Sequence, residues 1–203
     1  MAERPFLIGL TGSIGMGKSE TAKLFARLGI PVYDSDAAVH RLYEPGGAAV
    51  DKIGEAFPGS VVDGRVNRAA LSKLLAGDEA AFKKLEAIVH PLVAAEQRKF
   101  IDRAVGDGAD MVVQDIPLLF ETGGDARMDA VVVVSAPAEL QRKRVLERPG
   151  MTAEKLDQIL SRQMPDKEKR AKAHFVVETD KGLEHAFEQV KSIVATLKAK
   201  RNA

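Results

Sequence analysis

The chain has 203 residues, enough for one α/β domain with a sizeable insertion or at most two small domains. Its 30 basic and 29 acidic residues leave a formal charge of +1, so no global field draws it to nucleic acid or an anionic membrane, and any anion must be held locally. Cysteine is absent, which excludes disulfides, zinc–thiolate centres and a thiol nucleophile. No run approaches the roughly 18 apolar residues of a membrane span, and no apolar leader precedes the first strand, so a cytoplasmic protein is expected.

The apolar run Phe6-Leu7-Ile8-Gly9-Leu10-Thr11 predicts a buried strand. It leads directly into Gly12-Ser13-Ile14-Gly15-Met16-Gly17-Lys18-Ser19, which fits G-x-x-x-x-G-K-[ST], and a helical stripe of Thr21, Leu24, Phe25 and Leu28 follows. Strand, glycine loop and helix in that order make a phosphate cradle. Glycines let backbone N–H groups wrap the anion, and the helix turns its positive end toward it. Gly12, Gly15, Met16, Gly17, Lys18, Ser19 and the backbone of Glu20 are therefore the candidate nucleotide-binding residues. Lys18 would reach the β- and γ-phosphates of ATP, and the Ser19 hydroxyl would ligate Mg²⁺.

Gly29 stops the first helix, and Ile30-Pro31-Val32-Tyr33 reads as a short strand ending in Asp34-Ser35-Asp36. Ligands of parallel α/β sheets meet the carboxyl ends of strands, which puts both carboxylates near the phosphate loop if the first two strands emerge on one edge. Either aspartate is a suitable proton acceptor, and Asp34 or Ser35 also suits capping of a helix over 37–42. From Glu44-Pro45-Gly46-Gly47 onward the pattern predicts helices without intervening strands. Leu71, Leu74 and Leu75 form one stripe, Phe82, Leu85 and Val89 a second, and Val93, Phe100 and Ile101 a third. The stretch from Gly54 to Gly64 reads as loop and turn, and His90-Pro91 as a boundary between two helices.

The sheet resumes at Met111-Val112-Val113-Gln114-Asp115, whose terminal acid is a second candidate Mg²⁺ ligand. Ala130-Val131-Val132-Val133-Val134 reads as a strand covered on both faces. Gln141-Arg142-Lys143-Arg144-Val145-Leu146-Glu147-Arg148 and a second helix carrying Leu156, Ile159 and Leu160 flank Pro149-Gly150. That pair of helices reads as a lid, with Arg144 and Arg148 one turn apart and aimed at the transferring phosphate. Phe175-Val176-Val177 is a last strand, before a helix with Leu183, Ala186, Phe187, Val190, Val194 and Leu197 on one face and a frayed tail over 198–203.

Taken together, these motifs resemble the dephospho-CoA kinase family over nearly the whole chain. The resemblance rests on Thr11 to Ser19, Asp34-Ser35-Asp36, Arg68, Leu85-Glu86-Ala87-Ile88-Val89-His90-Pro91, Asp115-Ile116-Pro117-Leu118-Leu119-Phe120-Glu121, and Gln141 with Arg144, Arg148, Arg162 and Gln163. It implies a P-loop NTPase-type α/β fold: a parallel sheet of about five strands flanked by helices, with a helical substrate-binding insertion and a helical lid. The implied parts are a core of 1–43, 109–138 and 173–203, a CoA-binding insertion of 44–108 and a lid of 139–172. The implied reaction moves phosphate from ATP to the ribose 3′-hydroxyl of dephospho-CoA. The family pattern matches Asp36 to the catalytic base, with Lys18, Arg144 and Arg148 as the other catalytic groups. It also places Asp34, Asp36, Arg68 and His90 with the acceptor.

Two departures stand out. Glu20 replaces the threonine the family commonly carries, and Glu178-Thr179-Asp180-Lys181-Gly182 stands where an Asn-x-Gly often helps hold adenine. A GTPase is excluded, since neither Asn67 nor Asn202 sits in an Asn-Lys-x-Asp motif. The residues alone leave open another small-molecule kinase or a nucleotide-gated binding module.

Overall fold

The computed structural model describes residues 4–201. Its main sheet is five-stranded and parallel, in the order β2-β5-β1-β6-β7. These strands are β1 (Phe6–Thr11), β2 (Val32–Asp34), β5 (Met111–Asp115), β6 (Ala130–Ser135) and β7 (Phe175–Glu178). The first two strands in sequence are not neighbours: β5 lies between them, with Val113 N–H donating to Pro31 O at 2.9 Å.

The β-branched run of β6 shows why this sheet needs two covers. All six of its residues are buried, and side chains alternate faces along a strand. Val132 and Val134 join one apolar cluster with Leu24 and Phe25 of α1 (Lys18–Arg27) and Val190 and Val194 of α9 (Leu183–Arg201). Val131 and Val133 point the other way, into a smaller cluster with Leu119 and Phe120.

Two compact units divide the chain. One runs to Tyr33 and resumes at Ala104, and the other is Asp34–Arg103, where the sequence reading places the insertion at 44–108. The second unit contains α2 (Ser35–Tyr43), α3 (Val50–Ala56), a hairpin of β3 (Val61–Val62) and β4 (Arg65–Val66), α4 (Arg68–Leu75) and most of α5 (Glu79–Gly106). Two expectations are corrected here, that of helices without strands around a 54–64 loop and that of a helix boundary at His90-Pro91. The 54–64 stretch holds the end of α3 and the start of the hairpin, whose Asp63-Gly64 turn has both residues in the left-handed region at φ 50° and 73°. Asp-Gly between Val61-Val62 and Arg65-Val66 was its signal.

His90-Pro91 does not divide two helices, because α5 runs continuously through Pro91. Proline removes one N–H and favours a break. Packing outweighs that preference, since Leu85 and Val89 before Pro91 and Leu92 and Val93 after it all lie against the same cluster with Ile53 and Leu71.

In the first unit, α6 (Ala138–Leu146) and α7 (Ala153–Leu160) are the expected pair, and a third helix, α8 (Asp166–Lys172), follows them. The C-terminal tail is helical as far as Arg201, whose guanidinium donates to Asp110 O, while 202–203 lie outside the described residues. Among the described residues no helix is long and apolar enough to cross a membrane.

Candidate functional site

The glycine loop joins β1 to α1. Gly17, at φ 95°, is the N-cap of α1, and no side chain caps the helix, so its first N–H groups remain available to an anion. Gly15, at φ 79°, is required for a second reason: a Cβ there would stand 2.5 Å from Val145 Cγ2 of α6. Two glutamines hold the residue before it. Gln141 Nε2 donates to Ile14 O at 2.7 Å, and Ile14 N–H donates to Gln163 Oε1 at 3.1 Å. Carbonyl and amide of Ile14 are thus fixed by the two sides of the α6–α7 region. The Met16 side chain is core, receiving the Ala136 N–H at its sulfur, which leaves only its backbone for a nucleotide.

Lys18 projects to the end of the neighbouring strand and forms a hydrogen-bonded ion pair with Asp115 Oδ1. The β1–β5 register makes this possible, as Leu10 is the cross-strand partner of Asp115. Ser19 is exposed in the first turn of α1. Its hydroxyl and the Asp115 carboxylate are hard oxygen donors of the kind Mg²⁺ accepts, alongside phosphate oxygens and water. Among the described residues no group of three or more His, Cys, Asp or Glu side chains gathers to hold an ion.

Arg144 lies on the loop rather than free above it. Its Nη1 donates to Thr179 Oγ1 at 2.9 Å and to Gly15 O at 3.4 Å, and its Nη2 donates to Thr179 O at 2.7 Å. The Thr179 hydroxyl passes its own hydrogen to Met16 O at 2.7 Å. Thr179 therefore braces the phosphate loop and Arg144 at once, just past β7 and inside the segment that departs from Asn-x-Gly. Arg148 sits beyond the end of α6 and lines, with Gly17, Glu20, Arg144 and Thr179, a cavity of about 400 Å³. That volume suits a nucleotide-sized ligand.

Removing one hydrogen bond to a charged group costs about 1.5–3 kcal/mol. Thr179→Val should therefore lower kcat by roughly tenfold or more, with a smaller change in KM for ATP, and Thr179→Ser should restore it. Steady-state kinetics that leave Thr179→Val at wild-type kcat would remove this brace from the site.

Glu121, at the end of the Ile-Pro-Leu-Leu-Phe-Glu string, anchors the segment between α7 and α8. Its Oε1 accepts from Lys169 Nζ at 2.8 Å and from Met164 N–H at 2.7 Å, next to Gln163. The Lys169 side chain is fully buried. Burial pushes the Glu121 carboxyl upward, but the Lys169 hydrogen bond, the Met164 amide and the lysine charge outweigh it and hold it below its ordinary value of 4.5. Its folded pKa is thus depressed, so its contribution to stability is present above pH 4.5 and is lost as pH falls through the folded value. Lys169→Met leaves this carboxylate without its cation. An unfolding free energy lower by about 3–5 kcal/mol is expected at neutral pH, measured by denaturant titration, with the gap to wild type closing as pH falls through the folded value of Glu121. A variant as stable as wild type would dismiss the anchor.

In the second unit, Asp34 is the N-cap of α2, accepting the Ala37 N–H at 2.9 Å, and Asp36 is exposed in the first turn. The two aspartates thus differ in employment: one is engaged in capping, and the other is a solvent-facing carboxylate. Asn67 caps α4 in the same way, accepting from Ala70 N–H at 3.0 Å, and so sets the start of Arg68. The Arg68 guanidinium lies 5.4 Å from the centre of the Tyr43 ring. Burial raises the Tyr43 phenol above its ordinary value, and the Arg68 charge opposes this in part. His90 is exposed on α5. Sequence reasoning missed Thr179 as a brace and Lys169 altogether; a lone lysine in a basic helix carries no periodic signal.

A family model described as dephospho-CoA kinase matches residues 6–185. A dephospho-CoA kinase of Mesorhizobium japonicum is 56% identical over 97% of this chain and 99% of its own length. A solved structure of a Thermus thermophilus protein superposes with a TM-score of 0.85 at 37% identity, covering 96% of this chain and 99% of that one. The dephospho-CoA kinase of Campylobacter jejuni, 21% identical with a TM-score of 0.63 over 96% and 98% of the two chains, shares the fold.

Proposed function

Because the chain belongs to the dephospho-CoA kinase family, it is a phosphotransferase that uses ATP to phosphorylate dephospho-CoA, and we propose the following roles for its residues. Backbone amides of Gly12, Gly15, Met16, Gly17 and Glu20, with Lys18, hold the β- and γ-phosphates. Ser19 and Asp115 would hold Mg²⁺, which when bound would offset the charge of the phosphate oxygens. Arg68 and His90 bind the acceptor, Asp34 keeps α2 in place, and Asp36 orients the ribose 3′-hydroxyl.

In the transfer, the acceptor oxygen forms its bond to the γ-phosphorus as the bond to the β–γ bridging oxygen breaks. The hydroxyl proton goes to the Asp36 carboxylate, and ADP carries away the bond's electron pair. Lys18, Arg144 and Arg148 offset the negative charge that spreads over the transferring group. The observation that carries this reading is the capless N-terminus of α1 with Lys18, Arg144 and Thr179 gathered on one glycine loop. Use of ATP supports a cytoplasmic setting.

The test is ADP release measured against a panel of hydroxyl acceptors that includes dephospho-CoA, with phosphorus NMR of the product. Turnover confined to dephospho-CoA and a 3′-phosphate are expected. A faster acceptor in the panel, or phosphate at the 2′-oxygen, would overturn the assignment.

A further inference from the structure

Glu20 stands where this chain departs from the pattern of its family, and its side chain has no part in the roles assigned above. It is the one acid among the described residues that line the cavity of about 400 Å³ beside the glycine loop, in company with Arg144 and Arg148. A carboxylate repels a polyphosphate and accepts hydrogen bonds without donating any, so it has to meet a part of the nucleotide that is uncharged and carries donors. ATP offers two such parts: the ribose, with its 2′- and 3′-hydroxyls, and the adenine 6-amino group.

The walls decide between them. Glu20 and Leu24 both line the cavity and stand four residues apart on α1, about 40° apart around the helix, with Leu24 roughly 6 Å further from the loop along the axis. Leu24 and Ala186 share one apolar cluster, and Leu183, also in the lining, is 55% exposed. An apolar wall of this kind suits the flat face of a base. A nucleotide whose phosphates take the free amides at the start of α1 therefore passes Glu20 before it reaches the apolar wall. The group between phosphate and base is the ribose.

The present partner of Glu20 leaves it open to exchange. Its Oε1 accepts from Lys23 Nζ at 2.7 Å, in a pair whose side chains are 70% exposed for the lysine and 52% for the glutamate. Exposed pairs hold weakly, so sugar hydroxyls can displace the ammonium or share the carboxylate with it.

We propose that Glu20 is a sugar-specificity residue of this kinase, its carboxylate accepting hydrogen bonds from the vicinal hydroxyls of the ATP ribose; this rests on the reading of the glycine loop as the site of ATP's phosphates. Arg144 and Arg148, in the same lining, offset the repulsion between that carboxylate and the phosphates. Because Glu20 is half exposed, water replaces a missing hydroxyl in part, and the discrimination stays near the low end for a hydrogen bond to a charged group, roughly tenfold.

The experiment measures kcat/KM at saturating dephospho-CoA, with coenzyme A quantified by chromatography, for ATP, 2′,3′-dideoxy-ATP and purine riboside triphosphate, which lacks the 6-amino group. Wild type should prefer ATP over the dideoxy nucleotide by roughly tenfold, and Glu20→Ala should bring that ratio to about one. Glu20→Gln, which keeps one acceptor oxygen, should fall between them. The ratio of ATP to purine riboside triphosphate should be the same in wild type and Glu20→Ala. Lys23→Ala removes the ion pair without the acceptor and should keep the wild-type preference for ATP over the dideoxy nucleotide. A wild-type ratio of one, a ratio unchanged in Glu20→Ala, or a Lys23→Ala enzyme that matches Glu20→Ala would overturn the proposal. Loss of discrimination at the amino group instead of the sugar would give Glu20 to adenine. Full turnover in a folded Lys18→Ala enzyme is a separate outcome, which strikes the phosphate-loop reading rather than the ratio.

Discussion

Lys18→Ala is expected to lose at least 10²- to 10³-fold in turnover, the scale seen when one preorganised donor is taken from developing charge. The amine has a double place in this molecule. It is the cation expected at the β- and γ-phosphates, and it is hydrogen-bonded to Asp115, whose side chain is only 5% exposed. Truncation therefore also deprives a buried carboxylate of its cation, and such losses run to about 3–5 kcal/mol. The melting temperature should fall as well, so turnover must be read beside a circular dichroism melt. Wild-type enzyme should gain thermal stability on adding ATP, by mass action on the folded state, and the variant should gain little. Asp115→Asn combined with Lys18→Ala removes the buried charge and should recover stability without recovering activity. A folded Lys18→Ala enzyme with unchanged turnover would sink the phosphate-loop assignment.

The phosphate loop was legible because its chemistry is local: glycine spacing, lysine and hydroxyl are set within eight consecutive positions, and the strand and helix that flank them have their own periodicity. Strands β5 and β6 were legible for a related reason, since a parallel strand buried on both faces reads as a near-continuous apolar run, here Met111-Val112-Val113 and Ala130 to Val134. What failed were decisions between nearly balanced local options. Pro91 argues for a helix boundary, yet the residues on both sides of it share one apolar cluster, and a linear pattern does not display that common surface. The β3–β4 hairpin is two residues per strand, too short for alternation to register against the turn signals around it.

The braces around the site were hidden by distance in sequence. Thr179 reaches Met16 across 163 positions, Gln163 reaches Ile14 across 149, and Arg144 meets Thr179 across 35. Each residue is unremarkable where it stands in the chain. The lid reading of Arg144 did not include its contacts with Gly15 and Thr179. A guanidinium already bonded to Gly15 O and to Thr179 must exchange or share those partners if it is also to meet a phosphate, so part of its effect is set by how readily Thr179 releases it.

Asp36→Asn should give the other large effect, a fall in turnover of about 10²- to 10⁴-fold with near-normal binding of ATP and dephospho-CoA. A ribose hydroxyl is a poor nucleophile at neutral pH, and a carboxylate in hydrogen-bond reach both orients it and takes its proton as the bond to phosphorus forms. Asparagine keeps the size and the orienting carbonyl but cannot accept that proton. The partition between the two aspartates follows from the capping geometry. Asp34 accepts the Ala37 amide and holds the start of α2, so Asp34→Asn, which keeps a capping oxygen, should be mild, whereas Asp34→Ala should cost about 1 kcal/mol of stability. Asp36, exposed in the first turn, has no such structural duty to lose. Titration calorimetry for binding and a coupled ADP-release assay for turnover separate the two quantities. Asp36→Asn within a few-fold of wild type together with an inactive Asp34→Asn would move the base to Asp34, and full activity in both would remove general-base catalysis from α2.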